Sequence, residues 1–148
     1  MQTLTEQINR KKWWHSPPHD RAAYKERGIF LSSSYKECEF YGRPLDESVK
    51  VHLSNPLIDT EENIIKALFG KKSAQMDIYE TLNNTADLKT RFRLDAEMYR
   101  AAKKNGYDAI AIVTEKGLKK IREEEKLPRS IELNIFDIMQ SSLRVWNA

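Results

Sequence analysis

Apolar residues recur along the chain with two spacings, the helical one and the alternation of a strand. Thr3 and Glu6 have the spacing of a capping box, which predicts a helix immediately after Thr3. Gly42, Gly70 and Gly106 each follow a helical segment and predict its end. The predicted helices cover residues 4–12, a turn within 20–27, 35–41, 60–69, 76–82, about 86–105 and part of 117–126.

Short apolar runs predict the strands. They cover residues 13–15, 29–31, 49–53, 107–113 and 131–136. Asn55-Pro56 predicts a turn out of the third run. In the last run Ile131, Leu133 and Ile135 fall on one face, and Glu132 shares the other face with Asn134 and Phe136.

This order of elements predicts a single α+β domain spanning residues 1–148, with its core at about 13–137. We expect a mixed or antiparallel sheet with the helices clustered to one side. For the longest helix, over about Ala86–Asn105, the predicted inner face carries Leu88, Phe92, Met98, Ala101 and Ala102.

Composition narrows the class of protein. The 148 residues are 40% hydrophobic and 32% charged, which suits one folded core and excludes a disordered chain. The net charge of +3 is compatible with an anionic ligand, but no run of Lys and Arg indicates a dedicated nucleic-acid binder. Cys38 is the one cysteine, so neither an internal disulfide nor a cysteine-based metal site is expected. The polar start and the lack of a long apolar run predict a cytoplasmic protein, in the producing cell or in a host.

The residues that suggest chemistry follow one another in a definite order. An aromatic run ends in His15, and Gly28-Ile-Phe-Leu-Ser-Ser-Ser34 then leads into a helix that ends in Tyr41-Gly42. Asn105-Gly-Tyr-Asp108 closes the longest helix, and Glu132 lies in the last strand. Each motif is weak alone, so the information is in their order and spacing.

This succession resembles the ADP-ribosyltransferase superfamily, and most of all its small bacterial and phage members from polymorphic toxins and phage polyvalent proteins. The resemblance covers residues 13–137. It implies an ADP-ribosyltransferase type of fold and a cytoplasmic toxin or phage effector that uses NAD as substrate. The implied activity is mono-ADP-ribosylation of a host or cellular macromolecule, with a protein acceptor favoured over nucleic acid and with neither a metal nor a membrane involved.

The resemblance also implies roles for particular residues. Glu132 matches the catalytic glutamate, and His15 matches a histidine that hydrogen-bonds an NAD ribose. Ser32 and Ser33 match hydroxyl residues that support the nicotinamide pocket. Tyr41 matches the aromatic residue that stacks on the nicotinamide ring, and Tyr35 is a second candidate for that face.

The chemistry explains these residue types. Breaking the bond between nicotinamide and ribose builds positive charge on the ribose carbon, which a carboxylate bound to the ribose 2′-hydroxyl stabilises. A flat aromatic ring favours the cationic nicotinamide and holds it in place. Ser130 stands where arginine-modifying members carry Glu or Gln, which argues against arginine as the acceptor.

Two alternatives remain open. Ser16 follows His15 where many members have glycine, which favours a non-catalytic domain of the same fold that binds and inhibits a protein partner. An NAD glycohydrolase, in which water replaces the acceptor, uses the same residues. His15 and His19 have the spacing of a metal pair, but Pro17-Pro18 denies them a shared helix face. We interpret Trp13, Trp14 and Trp146 as core or interface residues and Cys38 as a buried small hydrophobe.

Overall fold

The computed structural model describes residues 2–82, 84–85 and 87–144. Within them the chain forms an α+β fold with seven α-helices and one mixed sheet of four strands. The helices are α1 Leu4–Arg10, α2 Ala23–Arg27, α3 Tyr35–Cys38, α4 Glu61–Phe69, α5 Ala74–Leu82, α6 Leu88–Lys104 and α7 Glu115–Glu124. The strands are β1 Ile29–Ser32, β2 Pro56–Asp59, β3 Ala109–Ile112 and β4 Glu132–Ile135. Short 3₁₀ turns cover Glu39–Tyr41 and Ile138–Gln140.

Side-chain caps explain where several helices begin. Thr3, Thr60 and Thr114 each accept a hydrogen bond from a backbone N–H in the first turn of α1, α4 and α7. Gly70 ends α4 with φ +100°, a backbone conformation that favours glycine. Each cap lies within one turn of the helix it begins, so it can be recognised from the sequence. The predicted helix starts at Thr3 and Thr60 are confirmed. The predicted limits at Ala86 and Asn83 lie outside the described residues, as does Trp146.

The strands lie in the order β1-β4-β3-β2. β4 is antiparallel to both neighbours, whereas β2 runs parallel to β3 at the edge. At one end of the sheet Ser32, Glu132 and Ile112 lie side by side in register on β1, β4 and β3. Asp59 on β2 completes this row. The predicted mixed sheet is confirmed.

Each face of the sheet is covered by its own apolar cluster. On one face Leu133 and Ile135 pack in a cluster that contains Ile8 of α1 and Leu118 of α7. The opposite cluster contains Phe136 and residues of α4, α5 and α6. The expectation that the helices lie to one side is therefore wrong. The physical reason is that β3 is apolar on both faces, so both need covering.

Two further expectations are corrected. Val49, Val51 and Leu53 are buried as their alternation predicts, but the predicted strand 49–53 is absent because the backbone makes only isolated bridges, from Val49 to Trp13 and from Val51 to Ser141. The strand begins instead at Pro56, predicted as a turn. Proline is tolerated there because it is the first residue of an edge strand.

The inner face of α6 also differs from the prediction. Leu88 is 66% exposed and Phe92 41% exposed, whereas Leu94 and Tyr99 are buried. Beside this buried stripe, toward the N-terminus of α6, lie the charged residues Asp95 and Arg91, which belong to the site described next.

Candidate active site

Glu132 is the first residue of β4, and its side chain lies on the sheet face that α6 covers. Strand alternation dictates this, because Leu133 and Ile135 occupy the other face. Glu132 is only partly exposed. Burial first, and then the charges of Asp95 and Glu61, raise the pKa of Glu132 to about 7. The carboxylate is therefore poised between its two protonation states near neutral pH.

Tyr41 interacts directly with this carboxylate. Burial first, and then the charge of Glu132, raise the pKa of the Tyr41 hydroxyl above its ordinary value, so the two groups lie close to each other. The hydroxyl therefore stays protonated. Tyr41 as a whole is 53% exposed, and its ring packs edge-on against that of Phe40, itself 88% exposed, with ring centroids 5.5 Å apart. The structure thus brings together two of the predicted site residues and leaves aromatic surface beside them.

An ion network that the sequence analysis did not assign lies at the same end of the sheet. Arg91 donates to both carboxylate oxygens of Glu61, over 2.8 and 2.6 Å. It also donates two hydrogen bonds to Oδ1 of Asp95, over 3.0 and 2.5 Å. Although burial opposes it, these two carboxylates raise the pKa of Arg91. Burial raises the pKa of Asp95, against the lowering influence of Arg91.

Arg27 and Phe92 border this network. The Arg27 guanidinium lies 3.8 Å from the centre of the Phe92 ring, and its charge acts on Asp95. This contact explains why Phe92 is not in the core: it packs under a cation at the edge of the site instead. The same end of the sheet therefore carries three carboxylates, two guanidinium groups and a rim of aromatic rings.

His15 does not point into this cluster. It is 1% exposed, with Nδ1 2.8 Å from the carbonyl oxygen of Phe30 and Nε2 2.9 Å from the Tyr24 hydroxyl. Since a carbonyl can only accept, Nδ1 carries the proton and Nε2 accepts from Tyr24. Burial lowers the pKa of His15, so the ring is neutral at pH 7. Both ring nitrogens are thus engaged within the protein.

The predicted serines hold the strand ends. Ser32 is 5% exposed and lies beside Glu132 in register. Cys38 is buried, as expected, and its Sγ lies 3.2 Å from the hydroxyl of Ser16. The Ser33 hydroxyl donates to the carbonyl of Arg129 and accepts from the N–H of Ile131, both over 2.9 Å. Ser33 therefore fixes the backbone that leads into Glu132.

Tyr35 begins α3 and is 37% exposed. Its ring meets Trp14 edge-on, with centroids 5.4 Å apart. Trp14 in turn forms a backbone bridge with Ser32. Tyr35 is thus near the β1 end of the site, with part of its ring accessible.

The residues that sequence reasoning missed carried one usable signal. Arg91 and Asp95 have the i,i+4 spacing of a solvated ion pair, and Glu61 is a common type of residue in a first helical turn. However, residues 91, 95, 98 and 102 form one helical stripe, and Met98 and Ala102 are buried. Charges that continue a core stripe indicate a polar cluster under the helix rather than a surface pair.

Three further features of the described residues concern other kinds of site, namely a surface depression, a metal site and a membrane-spanning helix. A depression of about 540 Å³ lies between α1 and α7, lined by Arg10, Lys120, Glu124 and other charged side chains of both signs, and it holds none of the predicted site residues. Within residues 2–82, 84–85 and 87–144, no three His, Cys, Asp or Glu side chains are grouped so as to hold a metal ion. None of the described helices is both long enough and apolar enough to cross a membrane.

No protein-family model matches the chain, and neither a curated protein nor a solved structure is similar to it. The functional argument therefore rests on the arrangement of its own side chains.

Proposed function

We propose that the protein is a mono-ADP-ribosyltransferase that cleaves NAD at Glu132 and transfers ADP-ribose to a macromolecule, with protein favoured as the acceptor. The observation that carries this proposal is the placement of Tyr41 beside Glu132, close enough for each group to shift the pKa of the other. These two residues are far apart in sequence, and the resemblance to the ADP-ribosyltransferase superfamily assigns a role to each of them. An arrangement of the ADP-ribosyltransferase type is part of the same proposal.

The chemistry assigns a task to each group. Nicotinamide carries a positive charge until its bond to ribose breaks, and the half-exposed Tyr41 ring beside Phe40 offers aromatic surface for such a cation. As the bond breaks, positive charge moves to the ribose carbon, where the Glu132 carboxylate stabilises it through the 2′-hydroxyl. A bound cation favours the ionised form of Glu132, so the ligand itself shifts the carboxylate toward its active state.

The remaining predicted residues hold or border the end of the sheet at which Glu132 lies. Ser33 fixes the strand entry of Glu132, Ser32 lies beside it and Tyr35 borders the β1 end. For His15 to bind a ribose, Nε2 must exchange the Tyr24 hydroxyl for a ribose hydroxyl. Ser130, which stands two positions before Glu132, donates to Glu37 over 2.7 Å and leaves arginine unfavoured as the acceptor. A cytoplasmic role as a toxin or phage effector belongs to this proposal.

The test is incubation of the full chain with NAD labelled in the adenosine half, in the presence of a cell lysate. We expect released nicotinamide and a labelled macromolecule, both lost in Glu132→Gln, whose circular dichroism spectrum stays that of the wild type. Glu123→Gln on the solvated side of α7 is the matched control and keeps activity. Absence of nicotinamide release from the wild type, with no change in Glu132→Gln, would falsify the proposal.

One observation favours a second function, a non-catalytic module of the same fold that binds and inhibits a protein partner. Both ring nitrogens of His15 are already bonded within the protein, and Phe40 is 88% exposed on the rim. Thermal unfolding with and without millimolar NAD separates the two functions, because a ligand that binds the folded state raises the melting temperature. The third possibility, an NAD glycohydrolase, gives free ADP-ribose and no labelled macromolecule in the same lysate experiment.

A further inference from the structure

The site contains more carboxylates than cleavage of NAD requires. Glu132 interacts with Tyr41, while Glu61 and Asp95 share Arg91. A buried carboxylate beside other carboxylates costs free energy that an apolar residue at the same position would not. Such arrangements are concentrated at functional sites. Glu61 and Asp95 are therefore the two candidates for a second role in the reaction.

The helix geometry directs Asp95 at the Glu132 end of the sheet. Tyr99 packs edge-on against Phe136, with ring centroids 5.1 Å apart, which anchors α6 near the far end of β4. Asp95 lies one turn closer to the N-terminus of α6. Arg91 joins it to Glu61, which begins α4 just after the end of β2 in the row that contains Glu132. The charge of Asp95 acts on both Glu132 and Tyr41. The Asp95 side chain is 13% exposed.

The hydrogen bonds of Arg91 distinguish Asp95 from Glu61. Both oxygens of Glu61 are engaged by the two terminal nitrogens of Arg91. Both Arg91 bonds to Asp95 go to Oδ1, which leaves Oδ2 outside the pairing. Glu61 therefore fixes Arg91, Arg91 fixes the orientation of Asp95, and Oδ2 of Asp95 takes no part in the pairing.

We propose that Asp95 is a second catalytic residue of this site, the base that takes the proton from an incoming O–H nucleophile. This rests on the proposed function. In the step, the bond between ribose C1′ and nicotinamide breaks and its electron pair neutralises the ring nitrogen. The nucleophile's oxygen bonds to C1′, and its proton passes to Oδ2 of Asp95 and then to solvent. Glu132 holds the 2′-hydroxyl throughout, so it is not free to do this. The nucleophile is water or a hydroxyl group of the acceptor.

The decisive experiment uses an anionic nucleophile. Azide needs no base because it has no proton to lose, and its attack on C1′ gives ADP-ribosyl azide. In the full chain, Asp95→Asn keeps an oxygen acceptor for Arg91 and is expected to release nicotinamide on the order of 100-fold more slowly than the wild type. Added azide should restore release in this variant, with the azide adduct identified by mass spectrometry. It should not restore release in Glu132→Gln.

Glu97→Gln is the matched control. Glu97 lies on the same helix, pairs with Arg93 and lies outside the Arg91 pairing. We expect it to keep wild-type turnover and to show no response to azide. A merely structural Asp95 would give a slow variant that azide does not restore, or a variant with wild-type turnover, and either result overturns the assignment.

Failure of the proposed function looks different, because then the wild type itself releases no nicotinamide. The adduct analysis also separates the sources of the O–H group, since water gives free ADP-ribose and an acceptor hydroxyl gives a labelled macromolecule.

Discussion

At Glu132 the requirements of chemistry and of stability oppose each other. The folded protein holds the pKa of this carboxyl at about 7, against an ordinary value of 4.5, because burial and two neighbouring carboxylates disfavour its ionised form. Below pH 4.5 the group is protonated in both the folded and the unfolded chain, so it costs nothing. As the pH rises from 4.5 through 7, the unfolded state releases its proton first, and the fold loses stability.

Glu132→Gln should therefore stabilise the protein in a pH-dependent manner. We expect a gain of about 2 kcal/mol in the free energy of unfolding at pH 8.5, a value discounted for the partial exposure of the side chain. At pH 4.5 we expect almost no difference from the wild type. Urea unfolding of both proteins at the two pH values measures this. A gain that is equal at both values would mean that ionisation of Glu132 is not its origin.

At the level of elements, the sharpest constraint lies where α2 meets β1. Gly28 has φ +74°, and a Cβ added there would lie 2.6 Å from the carbonyl oxygen of Ile135 and 2.9 Å from Nδ2 of Asn134. That amide donates to the carbonyl of Arg27 over 2.9 Å, so it cannot withdraw freely. Glycine is required here both by the backbone conformation and by the close approach of β4.

Gly28→Ala should destabilise the protein by about 2–4 kcal/mol, because it combines strain at positive φ with overpacking. Gly106→Ala is the matched control. Gly106 also has positive φ, +88°, but its added Cβ meets open space, so we expect a loss of only about 1 kcal/mol. Urea unfolding midpoints of the two variants measure the difference. Equal losses would show that the contact with β4 contributes nothing.

Local signals explain which elements could be predicted from the sequence. The caps at Thr3 and Thr60 and the alternation around Leu133 depend on residues close together in the chain. The strand at Pro56–Asp59 could not be found in this way, because it pairs with β3, about 50 residues further along the chain, and its first residue is a proline. Likewise, Val51 is buried without belonging to a strand. An alternation of apolar and polar residues predicts which side chains are buried, but it does not show that the backbone forms a ladder of hydrogen bonds.

The site was predictable only in part, for a related reason. The resemblance points to Tyr41 and Glu132, and the fold places them beside each other. Asp95 and Arg91 were missed because their sequence spacing is that of an ordinary surface pair. Only the packing of α6 on the sheet turns that pair toward Glu132. The same packing turns Phe92 outward, where Arg27 covers it.

In the whole molecule, the two apolar clusters share the sheet that separates them. Ala109 and Ala111 of β3 belong to one cluster, and Ile110 between them belongs to the other. Loss of packing on either side therefore removes support from the same strands. We expect the two clusters to unfold in a single cooperative transition rather than as separate units.

Two substitutions on opposite sides of the sheet test this. Ile8→Ala and Ile65→Ala each empty a fully buried site, and each should cost about 2–5 kcal/mol. With Trp14 and Trp146 replaced by Phe, the fluorescence comes from Trp13, which is buried in the Ile8 cluster and reports on that side. Far-ultraviolet circular dichroism reports on all the helices. If unfolding is cooperative, Ile65→Ala shifts the fluorescence transition and the dichroism transition to the same urea concentration, although Trp13 is on the far side of the sheet. A dichroism transition that moves while the fluorescence transition stays in place would show two independent units. In that case, a substitution at Glu132, on the α6 side, would leave the urea unfolding transition of the α1 and α7 side unchanged.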